Sequence, residues 1–230
     1  MKAGTSPTAA LRWGHPHILD MDTFSTQDIE QVLQTTDAMK EVLGRPIRRV
    51  PTLRGKTVAT LFYEPSTRTR ASFELAAKTL SADVVSIAAA TSSTVKGESL
   101  VDTVRTLEAM GVDVIVLRHP QSGAPYLAAR HTGRSIVNGG DGWHAHPTQA
   151  LLDLYTIRER LGRLAGLKAV IVGDILHSRV ARSNLYGMAA VGMEVTLCGP
   201  PTLLPPAFVQ AFPWARRETH LEAALEGADV

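Results

Sequence analysis

Two arginines and three hydroxyls crowd into residues Ser66 to Arg70, within the run FYEPSTRTRASFE. An apolar run precedes them and an amphipathic one follows, so they sit on a strand-to-helix turn. The first amides of a helix lack intrahelical partners and point outward at the positive end of its dipole. That makes an anion site before any side chain is added. Ser66, Thr67 and Thr69 add hydroxyl donors, and Arg68 and Arg70 add planar guanidinium groups that grip phosphate oxygens in pairs. The plainer alternative makes Ser66 an ordinary N-cap with solvated arginines beside it. The density of donors favours a bound phosphate. The turn lacks the glycines and the Gly-Lys-Ser/Thr ending of a P-loop. No Gly-x-Gly-x-x-Gly follows a strand, so a dinucleotide fold has no support.

Two other segments carry the same kind of chemistry. VDVIVLRHP places Arg118 and His119 at the carboxyl end of a strand, and GWHAHPTQALLDLY places His146, Thr148 and Gln149 at the start of a long helix. Ligands of open parallel sheets sit outside the carboxyl ends of the strands, so all three segments can meet at one crevice. There Arg118 would neutralise a second face of the phosphate, while His146 and Gln149 would hydrogen-bond a carbonyl oxygen and an amide. For His146 a simple capping role at the helix start is an equal alternative. His144 and His146 form a pair with metal-ligand chemistry, but no second cluster of Cys, His or carboxylates accompanies them.

The elements that must position these groups alternate. Helix periodicity with Ser25 as N-cap marks STQDIEQVLQTTDAMKEVL, and a buried-strand run marks Lys56 to Tyr63. A helix from Thr69, the strand DVVSIA, the polar loop AATSSTVKGES and the helix LVDTVRTLEAMG follow. Then come VDVIVLRH, a short helix PYLAARHT, the strand RSIVNGG and the long helix HPTQALLDLYTIRERLG. Beyond GRLAG the alternation restarts with KAVIVGD, SRVARSNLYGMAAVG, EVTLCG and PPAFVQAF. The expectation is an α/β protein of two doubly wound parallel-sheet domains joined by a long helix. Residues 1–147 form the first domain, opening with a short flexible arm; 148–162 form the connecting helix and 163–230 an incomplete second domain. The last residues, EGADV, read as the opening of another strand, which suggests a fragment.

Composition narrows the class. The 230 residues are 44% hydrophobic and 20% charged, with a net charge of +2. That charge is too small for a nucleic-acid footprint, so any basic chemistry is local. No apolar run reaches the length of a membrane span, and the N-terminus lacks the apolar region of a secretory signal. The single cysteine, Cys198, suits a reducing cytoplasm and reads as a small buried hydrophobe.

Five collinear motifs, FYEPSTRTRASFE, TSSTVKGESLVDT, VIVLRHP, GDGWHAHPTQALLDLYTI and VGDILHSRVARSN, make the chain resemble the catalytic chains of aspartate carbamoyltransferases from about Ile18 onward. The resemblance implies transfer of a carbamoyl group from carbamoyl phosphate to the amine of L-aspartate, an early step of pyrimidine synthesis, with no metal or organic cofactor. It implies a homotrimer with active sites shared between neighbours, and leaves room for a regulatory chain or a dihydroorotase partner. By position, Ser66, Thr67, Arg68 and Thr69 resemble the phosphate cradle, and Arg118 the arginine holding phosphate and carbonyl oxygen. His146 and Gln149 resemble contacts to the carbamoyl group, and Ser92 and Lys96 residues inserted into the adjacent subunit's site. Arg179 resembles an aspartate-carboxylate ligand, as Lys96 also does, and Glu64 resembles the partner of Arg179 on domain closure. Further aspartate ligands of the family, with a His-Pro-Leu-Pro segment, lie beyond Val230.

Two rivals remain at this point. Ornithine carbamoyltransferases share the Ser-Thr-Arg-Thr-Arg cradle, but typically carry lysine where Glu64 stands and lack a counterpart of Lys96. A non-catalytic phosphate-binding relative would keep the cradle after losing the rest.

Overall fold

The computed structural model describes residues 13–88 and 98–230. The flexible arm expected at the N-terminus and the loop carrying Ser92 and Lys96 lie outside the described residues, apart from Trp13 onward and the end of the loop.

The first sheet consists of β1 (Thr57–Phe62), β2 (Asp83–Ala88), β3 (Val114–His119) and β4 (Ser135–Asp141), in the order β2-β1-β3-β4 with every pair parallel. The chain steps from β1 to β2 on one side, then crosses to β3 on the other. A crevice therefore opens at the carboxyl ends of β1 and β3, where the winding reverses. Period-2 alternation divides the apolar residues between the two faces. Ala59, Leu61, Ile115 and Leu117 pack against Val104 and Leu107 of one helix and Ala128 of another. Val58, Phe62 and Val116 pack against Ala77 on the opposite side. The helices concerned are α2 (Arg68–Thr79), α3 (Leu100–Ala109) and α4 (Ala124–Arg130), following α1 (Thr26–Leu43).

The second sheet, β5 (Lys168–Val172), β6 (Glu194–Cys198) and β7 (Ala215–Glu218), is also parallel and runs in that order. It is served by α6 (Arg179–Ala190), α7 (Pro206–Gln210) and α8 (Leu221–Leu225). The long helix α5 (Pro147–Leu161) stands between the sheets and ends at Gly162 in the left-handed conformation. Its buried residues Leu151, Leu154 and Ile157 join a core that also holds Ile29 and Leu33 of α1 and Leu185 and Met188 of α6. Gly187 permits the close α5–α6 approach: a Cβ there would lie 3.1 Å from Leu154 and 3.3 Å from Met21. Arg158 donates to Asp37 at 2.7 Å and Lys40 pairs with Glu159, fastening α1 to α5.

The alternation read from the sequence is borne out, as is Ser25, which forms a capping box with Asp28. Three features differ. The strand β7 and helix α8 were not foreseen, because ARRE is short and half charged and LEAAL is a single helical turn. Ile18 bridges to β4, its amide donating to Ile136 O at 2.8 Å. The helix expected over PPAFVQAF shortens to five residues. The backbone of Asp229 and Val230 hydrogen-bonds along β5, in keeping with the strand-like reading of EGADV.

Candidate active site

The crevice between β1 and β3 is entered by the turn after β1. Tyr63 donates its amide to Arg118 O at 2.9 Å, holding that turn beside β3. α2 then begins at Arg68 with no side-chain cap, although Ser25 and Ser99 cap α1 and α3. The leading amides of α2 are thus left for a ligand, and Ser66 is not the N-cap that its plainer reading required. Its hydroxyl lies 3.4 Å from Nη1 of Arg118, as does that of Thr69. The β3–β4 register shifts between Leu117 and His119, so Arg118 sits at an irregularity of the kind that re-aims a side chain.

Glu64 organises the cations. Its Oε2 accepts from Nε of Arg118 at 2.9 Å and from both terminal nitrogens of Arg179 at 3.2 Å. Arg179, the first residue of α6, also donates to Gly142 O at 3.1 Å. It passes over Gly140, whose φ of +116° and lack of a side chain make room: a Cβ there would stand 3.0 Å from the Arg179 guanidinium carbon. One carboxylate therefore bridges an arginine of β3 to the arginine that opens α6.

His146 is the N-cap residue of α5 but caps nothing with its side chain. Its backbone amide donates to Ser183 Oγ at 2.9 Å. Burial pushes the imidazole down to a pKa of about 4, and the Arg179 and Arg118 charges push the same way. At neutral pH it is an uncharged ring with one N–H to donate. His144 plays a different part: it lies between Asp141 at 3.2 Å and Asp20 at 3.3 Å, and its hydrogen bond to Asp141 raises its pKa. The two histidines of HAH therefore do not act as a pair.

Arg68, Thr69, Arg118, His146, Gln149 and Arg179 line one cleft of about 810 Å³, together with Thr148, Ser72, Phe73 and Leu152. Arg68 is exposed and makes no ion pair or hydrogen bond with its side chain among the described residues. Thr67 is the exposed N-cap residue of α2 and does not line the cleft. Ser92 and Lys96 lie outside the described residues. Arg70 turns back toward Glu74, 3.9 Å away. Sequence reasoning missed Gly140, Ser183, Asn184 and Asp153. Only Asp153 left a local signal, standing four residues after Gln149 on the same helix face.

Chemically, the Arg68 and Arg118 guanidiniums with hydroxyls and helix amides suit a tetrahedral oxyanion. His146 and Gln149 add neutral groups suited to a small planar amide, and Arg179 supplies a further cation beside Arg118, both held on one oxygen of Glu64.

Comparison with known proteins agrees in extent. The profile of a family described as aspartate/ornithine carbamoyltransferase, carbamoyl-P binding domain, matches residues 16–159. The chain is 61% identical over 216 residues to an aspartate carbamoyltransferase catalytic subunit from Roseiflexus sp. (strain RS-1), covering 93% of this chain and 68% of that protein. Its fold is similar to the catalytic subunit of M. jannaschii aspartate transcarbamoylase, with a TM-score of 0.83 at 38% identity over 93% of this chain and 72% of that one. It is also similar to aspartate transcarbamoylase from Trypanosoma cruzi in complex with N-(phosphonacetyl)-L-aspartic acid, with a TM-score of 0.83 at 32% identity over 95% and 73%.

Proposed function

The chain belongs to the aspartate/ornithine carbamoyltransferase family, and from that footing we propose that it transfers the carbamoyl group of carbamoyl phosphate to the amino group of L-aspartate. The products are N-carbamoyl-L-aspartate and phosphate, an early step of pyrimidine biosynthesis. The observation that carries this reading is the cleft itself: Arg68, Thr69, Arg118 and Arg179 line it together with neutral His146 and Gln149.

In this reading the first sheet binds carbamoyl phosphate, the second binds aspartate, and α5 connects them, with boundaries near residues 147 and 163. The aspartate amine attacks the carbamoyl carbon. A C–N bond forms, negative charge builds on the carbonyl oxygen, and collapse breaks the C–O bond to phosphate, which leaves with the proton shed by the amine. The uncharged His146 and Arg118 donate to the oxygen as its charge grows, and Arg68 with the hydroxyls of Ser66 and Thr69 takes the charge of the departing phosphate, whereas the side chain of Thr67, expected in the cradle, stays outside the cleft. Gln149 holds the carbamoyl amide. Arg179 holds a carboxylate of aspartate and Glu64 fixes its direction. No protein nucleophile takes part, because the two substrates react directly once held together.

The same reading makes the protein a homotrimer in which Ser92 and Lys96 of one subunit complete the site of its neighbour. It places the protein in the cytoplasm, in keeping with the free, buried thiol of Cys198. No helix among the described residues is long and apolar enough to cross a membrane.

The test is a carbamoyl-transfer assay on the purified full-length gene product with aspartate and ornithine offered side by side. Turnover with aspartate and little with ornithine is the expected result, since an ammonium facing Arg179 is repelled. Comparable turnover of both overturns the assignment of acceptor.

A further inference from the structure

We propose that Asp153 is a positioning residue that sets which end of the Gln149 amide faces the substrate. Asp153 lies one helical turn after Gln149 on α5, and its Oδ1 accepts from Gln149 Nε2 at 2.8 Å. Its other oxygen accepts from Asn184 Nδ2 of α6 at 2.7 Å. An ionised carboxylate only accepts, so both amides must turn their NH₂ groups toward it. For Gln149 this leaves Oε1 as the group available to the cleft, and that group can only accept. For Asn184, a buried residue, the same constraint strands Oδ1 without a hydrogen-bond partner among the described residues. A buried acceptor left unpaired is unfavourable. The Asn184 amide nonetheless keeps its NH₂ on Asp153.

The inference rests on the reading of the cleft as a carbamoyl phosphate site. The carbamoyl group has two faces of opposite character: a carbonyl oxygen that accepts and an NH₂ that donates. His146, uncharged and near the two arginines, supplies a donor on one side. Gln149, locked with its oxygen outward, supplies the acceptor on the other. Asp153 thereby makes the site read the carbamoyl group in one orientation, carbonyl toward the cations and NH₂ toward Gln149. Because Asn184 belongs to the helix that begins with Arg179, the same carboxylate ties the amide-reading residue to the helix bearing the aspartate ligand.

The experiment compares wild type, Asp153→Asn, and the double variant Asp153→Asn with Asn184→Asp. In the single variant, the new amide at position 153 turns its NH₂ toward one of its two partners, and Gln149 is no longer held in one orientation. The carbamoyl phosphate KM should rise about ten- to a hundredfold, as for loss of a hydrogen bond to a charged group. Inorganic phosphate, which has no amide to be read, should keep its affinity by calorimetry. In the double variant the carboxylate now at position 184 accepts that NH₂. This returns the amide oxygen at position 153 to Gln149, and KM should recover. A general structural role predicts instead that carbamoyl phosphate and phosphate weaken together, with a lower Tm. That outcome overturns the proposal, as does an unchanged KM in the single variant or a folded double variant no better than the single one. Wild-type turnover is measured first. Its absence overturns the proposed function and this inference with it, whereas an active wild type matched by Asp153→Asn overturns the inference alone.

Discussion

Arg179 donates from both terminal nitrogens to a single oxygen of Glu64, at 3.2 Å each, although the two residues are 115 positions apart. The same oxygen accepts from Arg118 at 2.9 Å. Glu64 is therefore the joint between the two sheets at the cleft, and it neutralises part of the repulsion between two guanidiniums that would otherwise push each other away. Glu64→Gln keeps the shape and removes the charge. We expect kcat/KM for aspartate to fall about a hundredfold through misplacement of Arg179. The change in Tm should be small, since the side chain is partly exposed. Steady-state kinetics alongside thermal melts checks both halves, and near wild-type kinetics refutes the role.

Arg68 leads a helix whose amides no side chain caps, and its guanidinium is engaged by no other described residue. Arg68→Ala should leave circular dichroism unchanged and lower kcat about a hundred- to a thousandfold, the typical loss on removing one transition-state donor. A folded variant with near wild-type turnover would falsify the phosphate cradle.

His146 has a folded-state pKa of about 4 against an ordinary 6.5. Between these values the unfolded chain binds the proton and the folded chain does not, so stability falls as pH is lowered through that window. Above 6.5 this contribution is complete and constant, and over the whole window the loss is about 3 kcal/mol. The comparison of wild type with His146→Gln isolates this from Asp20, whose burial raises its pKa to about 6 and acts in the opposite sense. Urea unfolding at a series of pH values should show the wild type losing stability relative to the variant on acidification. Parallel curves would contradict the neutral imidazole.

Gly140 combines a φ of +116° with the guanidinium of Arg179 lying where a side chain would stand. Gly140→Ala should cost about 1–3 kcal/mol through backbone strain and also raise KM for aspartate by displacing Arg179. Gly55, with a φ of +75° and nothing within 4 Å of a Cβ position, is the control. Gly55→Ala should destabilise in a similar way and leave KM alone. Equal kinetics for the two variants would separate Gly140 from the site.

The proposed sharing of sites between subunits of a trimer makes a prediction about mixtures. Chains carrying Lys96→Ala and chains carrying Arg68→Ala should each be inactive. After subunit exchange, some interfaces pair an intact cradle with an intact loop, and part of the activity returns. Mixed trimers verified by mass spectrometry that stay as inactive as their parents would return Lys96 to an ordinary surface role.

Much of the chemistry was legible along the chain because its causes are local. The donor cluster from Ser66 to Arg70, Arg118 at a strand end and His146 with Gln149 at a helix start all follow from period and turn chemistry, which act over a few residues. The parallel sheets followed too, since a helix between two strands carries the chain back so that the next strand can run beside the first in the same direction. What escaped depends on chain segments meeting from far apart. Nothing near Ile18 announces its bridge to β4, and ARRE becomes β7 because β6 offers it an open edge. The Gly140–Arg179 contact joins β4 to α6, and the Asp153–Asn184 bond joins α5 to α6. Glu64 was readable as a partner of Arg179, but its hold on Arg118 arose only when β1 and β3 came to lie side by side. Residue types set which groups are available to bind and to donate. Their orientation belongs to the packed fold, because hydrogen bonds and close contacts act over a few ångströms of space, whatever the distance along the chain.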